Sequence, residues 1–230
     1  RDYVSGAMEN TTATLHQESA NQNARQLLDE NIWEGVIAHE LFHHWFGDLV
    51  TAESWSNLTV NESFADFSET MWEEYKYGKD AGDEHNFQAL QNYLYGGGES
   101  KDLVRFYYRS QEDMFDVVSY QKGGRILNML RHYVGEDAFY KSLNKYLTDN
   151  KFKNGEAHQL RLAFEAVSGQ DLNWFFNQWY FSSGHPVLKI DYNYNDDAGK
   201  VQVIIKQNQK GEKVYRLPIN IDIYTGGTKT

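Results

Sequence analysis

Apolar residues recur at positions 32, 36, 37, 41, 42, 45 and 46. Spacing by threes and fours predicts an amphipathic helix over 31–46, and Gly47 is placed to stop it. Residues 61–77 repeat the pattern, with Phe64, Phe67, Met71 and Tyr75 on one side and Gly78 as the stop. Residues 80–100 read as partly helical and end in a flexible glycine run at 96–98. The stretch 111–134 predicts a third strong helix closed by Gly135, and shorter helices are expected near 136–149, 156–167 and 171–182. Upstream lie an extended segment, 3–8, and a polar tract, 13–30, that reads as a loop with some helical content.

The period changes after Gly184-His185-Pro186. Residues 187–194, 201–205 and 219–224 alternate, which predicts strands, and Asn195-Asp196-Asp197-Ala198-Gly199 supplies a turn between the first two. The expected fold class is therefore α+β: a mostly helical body, 1–186, followed by the start of an antiparallel β unit, 187–230. So few strands make a poor domain alone, and the β unit is expected to be truncated. Composition supports the helical body, because only Pro186 and Pro218 interrupt the chain and aromatic residues, at 15%, supply large core side chains.

With 40% hydrophobic and 24% charged residues, the 230-residue chain reads as globular. No apolar run approaches the ~18–20 residues that a spanning helix needs. No charged-then-apolar leader follows Arg1, so no targeting signal is expected. A net charge of -11 without a basic block repels phosphate backbones, so nucleic acid is not an expected partner. The chain has no Cys, which removes disulfides, thiol nucleophiles and thiolate metal sites together. Any metal must be held by imidazole and carboxylate. Compartment (cytoplasmic, periplasmic or extracellular) and oligomeric state stay open.

His39-Glu40-Leu41-Phe42-His43 fits H-E-x-x-H inside the first predicted helix. Residues four apart on a helix stand one above the other, ~5–6 Å between Cβ atoms, so two imidazoles can share one ion. Glu40 is turned about 100° away and suits a general base acting on water at the metal better than a third ligand. Glu62, near the start of the second helix, is the candidate third ligand. Two imidazoles and one carboxylate leave a fourth position open, the catalytic arrangement of zinc. Asp66, one turn after Glu62, is expected to accept a ring N–H from His39. His44 points off the ligand face and reads as a neighbour.

These residues resemble a known family. Gly6-Ala7-Met8-Glu9-Asn10, His39-Glu40-x-x-His43-x-Trp45-Phe46-Gly47, Asn61-Glu62-x-Phe64-Ala65 and Tyr120-x-Lys122-Gly123 are similar, in order, to the motifs of the aminopeptidase N family of zinc peptidases. Eighteen residues separate His43 from Glu62, as in that family. The resemblance covers about residues 1–190, and departs from the usual Asp, Trp and Gly at Asn57, Thr59 and Ser63. It implies a thermolysin-like catalytic domain of the gluzincin type followed by a β-sandwich module, within a longer enzyme that carries a further β domain upstream.

The resemblance further implies one Zn2+ held by His39, His43 and Glu62, with Glu40 as general base and Tyr120 donating to the developing oxyanion. Without it, Tyr120 is one of sixteen Tyr residues. It also implies that Gly6, Ala7, Met8, Glu9 and Asn10 bind substrate. An extended strand there can pair with the peptide backbone, and Glu9 can meet a free N-terminal amine. Peptides with a free amine are thus the expected partners. A thermolysin-like endopeptidase, a hydrolase that also opens a lipid epoxide and an inactive binding module are the competing readings.

Overall fold

The computed structural model describes residues 3, 5–225 and 228–229 and divides the chain into two compact units, Arg1–Gly184 and His185–Thr230. In the first unit a short hairpin, β1 (Ala7–Met8) and β2 (Leu15–His16), precedes helix α1 (Glu34–Phe42). Strand β3 (Val50–Ala52) leads into helices α2 (Thr59–Tyr77) and α3 (Lys79–Tyr95). Helices α4 (Gly123–Val134) and α5 (Glu136–Asn150), strand β4 (Lys153–Gly155) and helices α6 (Ala157–Ser168) and α7 (Asn173–Trp179) complete it. Strands β3 and β4 pair in parallel.

Helices α1 and α2 lie antiparallel, joined at three levels. At one end Trp72 Nε1 and the Tyr77 hydroxyl donate to the Glu34 carboxylate at 2.6 and 2.8 Å, and Lys76 joins them. Midway, Ser68 Oγ donates to the Ala38 carbonyl at 3.3 Å. At the other end the rings of Phe46 and Phe64 stack with centroids 4.0 Å apart. Such a pair contributes ~0.5–1.5 kcal/mol beyond its buried area. It sits three residues after His43 and two after Glu62, so aromatic packing brings the two ligand-bearing stretches together.

The first helix is shorter than expected. It stops at Phe42, and the chain turns back through Gly47, at φ +146, where a Cβ would lie 3.1 Å from the His43 carbonyl oxygen and 3.2 Å from its Nδ1. Within 61–77 the apolar side ends early: Phe64 and Phe67 are buried, but Tyr75 is 83% exposed. The aromatic run near 174–181 packs inward as Phe175, Phe176, Trp179 and Tyr180.

The predicted continuous helix 111–134 is three pieces. A 3-10 turn, Gln111–Met114, carries a capping box from Ser110 and Asp113; a π-helical turn, Val118–Lys122, follows, and only then α4. The Asp116 carboxylate accepts from the backbone N–H groups of Val118 and Ser119 at 3.0 and 3.2 Å. Ser63 Oγ donates to the Ser119 carbonyl at 2.6 Å. Helix α4 then meets α2 at a glycine pair. A Cβ on Gly123 would lie 1.8 Å from Ser63 Oγ, and one on Gly124 would lie 2.2 Å from Asp66 Oδ2.

In the second unit β5 (Leu188–Asn195) and β6 (Lys200–Gln207) form an antiparallel hairpin in the register Leu188↔Gln207 to Asn195↔Lys200. The expected strand over 219–224 is not formed across 219–223. Pairing there is confined to β7 (Tyr224–Thr225) with β8 (Thr228–Lys229).

Gly123→Ala forces methyl volume onto Ser63 where no space exists. The expected outcome is a loss of about 1–3 kcal/mol, read as a lower midpoint in denaturant.

Candidate metal centre

His39 sits in the last turn of α1, and His43 caps it with its N–H still bonded to the His39 carbonyl at 3.2 Å. Each imidazole is fixed through Nδ1. His39 Nδ1 lies 2.8 Å from Glu69 Oε1, and His43 Nδ1 lies 2.9 Å from the Phe46 carbonyl. A carbonyl only accepts, so His43 Nδ1 carries the proton; a carboxylate imposes the same on His39. Both Nε2 atoms then present lone pairs. They face Glu62 Oε2 at 3.3 and 3.2 Å.

That oxygen is buried and has no hydrogen-bond donor. Three bare electron pairs converging within about a water's width repel one another unless a cation or a proton lies between them. The donor set, two imidazoles and one carboxylate, fits a divalent ion of the zinc class. A proton shared with the imidazoles can take the same place. Burial pushes the His39 imidazole down, but Glu62 and Glu69 outweigh it and raise it to about 10. His43 is also raised, against burial, by Glu62. Against the upward push of burial, the two imidazoles hold Glu62 down at about 2. Metal and proton compete for one place.

Asp66 does not fill the role expected of it. Glu69, one further turn along α2, holds His39 instead. In an antiparallel helix pair, stepping back along α1 from His43 to His39 means stepping forward along α2, and the pairing overshoots Asp66. The carboxylate of Asp66 faces α4, with Gln121 Nε2 at 3.3 Å and Arg125 Nη2 at 3.5 Å. Burial and the neighbouring Glu69 raise its pKa. Glu69 is held low, against burial, by hydrogen bonds with His39 and His85. His85 also accepts or donates at Thr70 Oγ1, 2.9 Å away. Glu69 and His85 were not singled out by spacing, although Glu69 follows Glu62 by seven residues and so shares its helical face.

The other candidates surround the same point. Oxygens of Glu9 and Glu40 and a His43 nitrogen all lie within 4.8 Å of one another. Burial raises Glu40 to about 7, with the two imidazoles pulling the other way and Glu9 adding to the rise. The Tyr120 ring stacks on His39 with centroids 5.9 Å apart and planes 11° from parallel. Burial and then the Glu62 charge raise its pKa, so its hydroxyl stays a proton-bearing donor. Ala7 and Met8 form β1, Gly6 precedes it at φ +90, and Asn10 opens the turn beyond Glu9. These elements line one cleft of about 1240 Å³. Asp48, Glu53 and Glu112 also line it, and no Lys or Arg among the described residues does. The cleft is therefore suited to a cationic group. No helix among the described residues is long and apolar enough to cross a membrane.

The chain is similar to known proteins. The peptidase family M1 domain matches residues 1–179. Aminopeptidase M1 of Arabidopsis thaliana is 34% identical over 240 residues, covering 96% of this chain and 26% of that protein. The Tricorn protease-interacting factor F2 of Thermoplasma volcanium is 31% identical over 236 residues, covering 96% and 29%. Legionella pneumophila aminopeptidase A, solved in complex with aspartic acid, shares the fold with a TM-score of 0.72 at 24% identity, over 90% of this chain and 24% of that one. A variant of the M1 zinc metallopeptidase from Deinococcus radiodurans, solved with a Tyr-Ser-Ala substrate, gives 0.62 at 25% identity, over 75% and 36%. The chain thus spans between a quarter and a third of the length of these curated relatives.

Glu69→Gln removes the carboxylate that orients His39. Zinc affinity, measured by chelator competition, is expected to fall about 10–100-fold, and Asp66→Asn is expected to cost less. Equal losses in the two variants would refute the assignment of Glu69.

Proposed function

The chain belongs to peptidase family M1, and on that premise we propose that it carries the active site of a zinc aminopeptidase, removing residues from peptides that bear a free N-terminal amine. The observation that carries this is the convergence of two Nε2 lone pairs on the donor-less Glu62 Oε2, with the Glu9 and Glu40 carboxylates beside them. His39, His43 and Glu62 hold one zinc ion, which when bound supplies a Lewis acid for the scissile carbonyl and acidifies water. The zinc metallopeptidase of known structure with this fold supports that choice of metal.

This chain's own residues do the rest. Glu40 takes the proton of the attacking water and delivers it to the leaving amine, a role suited to a carboxylate that burial has made more basic. Tyr120 donates its hydroxyl to the carbonyl oxygen as negative charge builds there. Residues 6–10 run alongside the substrate backbone, and Glu9 meets the α-ammonium. Placing that cation beside Glu9 and Glu40 offsets the mutual repulsion of two carboxylates. An endopeptidase would have no use for a carboxylate there.

We assign 1–186 as the thermolysin-like catalytic domain and 187–230 as the first strands of a β-sandwich module. The second assignment is supported by exposed apolar residues along the hairpin, among them Ile190, Tyr192, Tyr194 and Val201, which a packed partner sheet would cover.

An aminoacyl-aminomethylcoumarin assayed beside its N-acetylated twin tests the reading: the free-amine form alone is expected to be cleaved, and equal cleavage would sink it. Glu40→Gln is expected to abolish turnover while metal analysis still finds zinc in the protein. Tyr120→Phe should lower kcat by ~10²–10³ with little change in zinc content.

A further inference from the structure

The hairpin that carries Glu9 is small. Strands β1 and β2 share only the pairs Ala7↔His16 and Met8↔Leu15, with Gln17 N–H closing the base on the Gly6 carbonyl at 2.8 Å. A two-stranded hairpin of this size is not stable alone and needs an external hold. Its tip is a β-turn closed by the Ala13 N–H on the Asn10 carbonyl at 2.8 Å. The third residue of that turn, Thr12, has φ +65. Left-handed backbone is costly for a β-branched residue, and such strain persists where the surroundings impose it.

Beside the turn's own bond, one long-range bond holds it. The Thr12 backbone N–H donates to His44 Nε2 at 3.0 Å, across 32 residues of sequence. His44 directly follows the metal-ligand candidate His43. Glu9 lies three residues before Thr12, with its carboxylate within 4.8 Å of a Glu40 oxygen and a His43 nitrogen. Two carboxylates that close repel, so the hairpin has an electrostatic reason to swing away and needs an anchor at its tip.

We propose that His44 is a positioning residue for recognition of the substrate amine: by accepting the Thr12 N–H it pins the hairpin tip to the end of α1 and fixes Glu9 beside Glu40 and His43. The proposal rests on the aminopeptidase reading of the preceding subsection. It assigns to His44 a role in substrate binding rather than in bond breaking. It also ties the strained turn to that role, since Thr12 keeps its left-handed backbone in order to aim its N–H at the ring.

The test uses the zinc-loaded 230-residue chain and its His44→Ala and His44→Gln variants. For the free-amine coumarin substrate, His44→Ala is expected to raise KM about three- to tenfold, the scale of one hydrogen bond, with kcat within about twofold. Zinc content is expected to be unchanged, and hydrogen exchange at the Thr12 amide to accelerate. His44→Gln, whose side-chain oxygen can accept the same N–H, should recover part of both losses. Thr12→Gly added to His44→Ala should recover part of the KM loss, because glycine adopts the left-handed turn without strain. Unchanged KM and unchanged Thr12 exchange in His44→Ala would overturn the proposal, as would a fall in kcat accompanied by loss of zinc. If the unaltered chain turns over neither substrate, the aminopeptidase reading falls by itself. Thr12 exchange together with calorimetric binding of Ala-Ala against N-acetyl-Ala-Ala then decides the role of His44: losses confined to the free-amine peptide uphold it, and no loss overturns it.

Discussion

The Nε2 atoms of His39 and His43 and Oε2 of Glu62 meet in a buried space, where their electron pairs repel unless a cation or a proton lies between them. Such an arrangement is repulsive by itself, and the rest of the first unit can be understood as what holds it together. The Phe46–Phe64 stack draws the two ligand stretches side by side. The Glu34 cluster locks the far end of the same helix pair. Hydrogen bonds at the rear of each imidazole leave no freedom of tautomer or ring orientation. Each device is ordinary in isolation, and together they spend folding energy on a constellation that only a bound cation repays.

Charge balance around this point is layered. Glu62, Asp66 and Glu69 lie on one face of α2, the first two buried and Glu69 partly so, an acidic row that would be costly alone. His39 and His85 answer Glu69, while Arg125 and Gln121 stand beside Asp66. The row therefore divides its work: one carboxylate faces the two Nε2 atoms, one steadies an imidazole, and one faces α4. The cleft side of the site remains acidic, which suits the ammonium group of the proposed substrate.

The convergence of His39, His43 and Glu62 was legible in the sequence because it depends on local spacing. H-E-x-x-H fixes its own geometry through the four-residue spacing, and Glu62 needs only one additional helix start. What could not be read depends on how two elements meet. Asp66 and Glu69 both share a face with Glu62, and choosing between them requires the antiparallel course of α1 over α2, which no local pattern encodes. The break of 111–134 into a 3-10 turn, a π-helical turn and α4 was hidden for the same reason: its hydrophobic pattern is helical throughout, while the cause lies in Asp116, Ser63 and the glycine crossing. His44 looked idle because its partner is a backbone amide 32 residues away. The β unit was legible as alternation, yet 219–223 shows that alternation without a neighbouring strand does not make a ladder.

The glycine crossing has a consequence for how such a site can change over time. Ser63 adjoins Glu62, Ser119 adjoins Tyr120, and the two serines are joined directly by a bond of 2.6 Å where α4 rests on α2 without an intervening side chain. The residue proposed to hold the cation and the residue proposed to donate to the substrate oxygen thus adjoin one shared hydrogen bond. A substitution that shifts α2 against α4 therefore disturbs the surroundings of both residues at once.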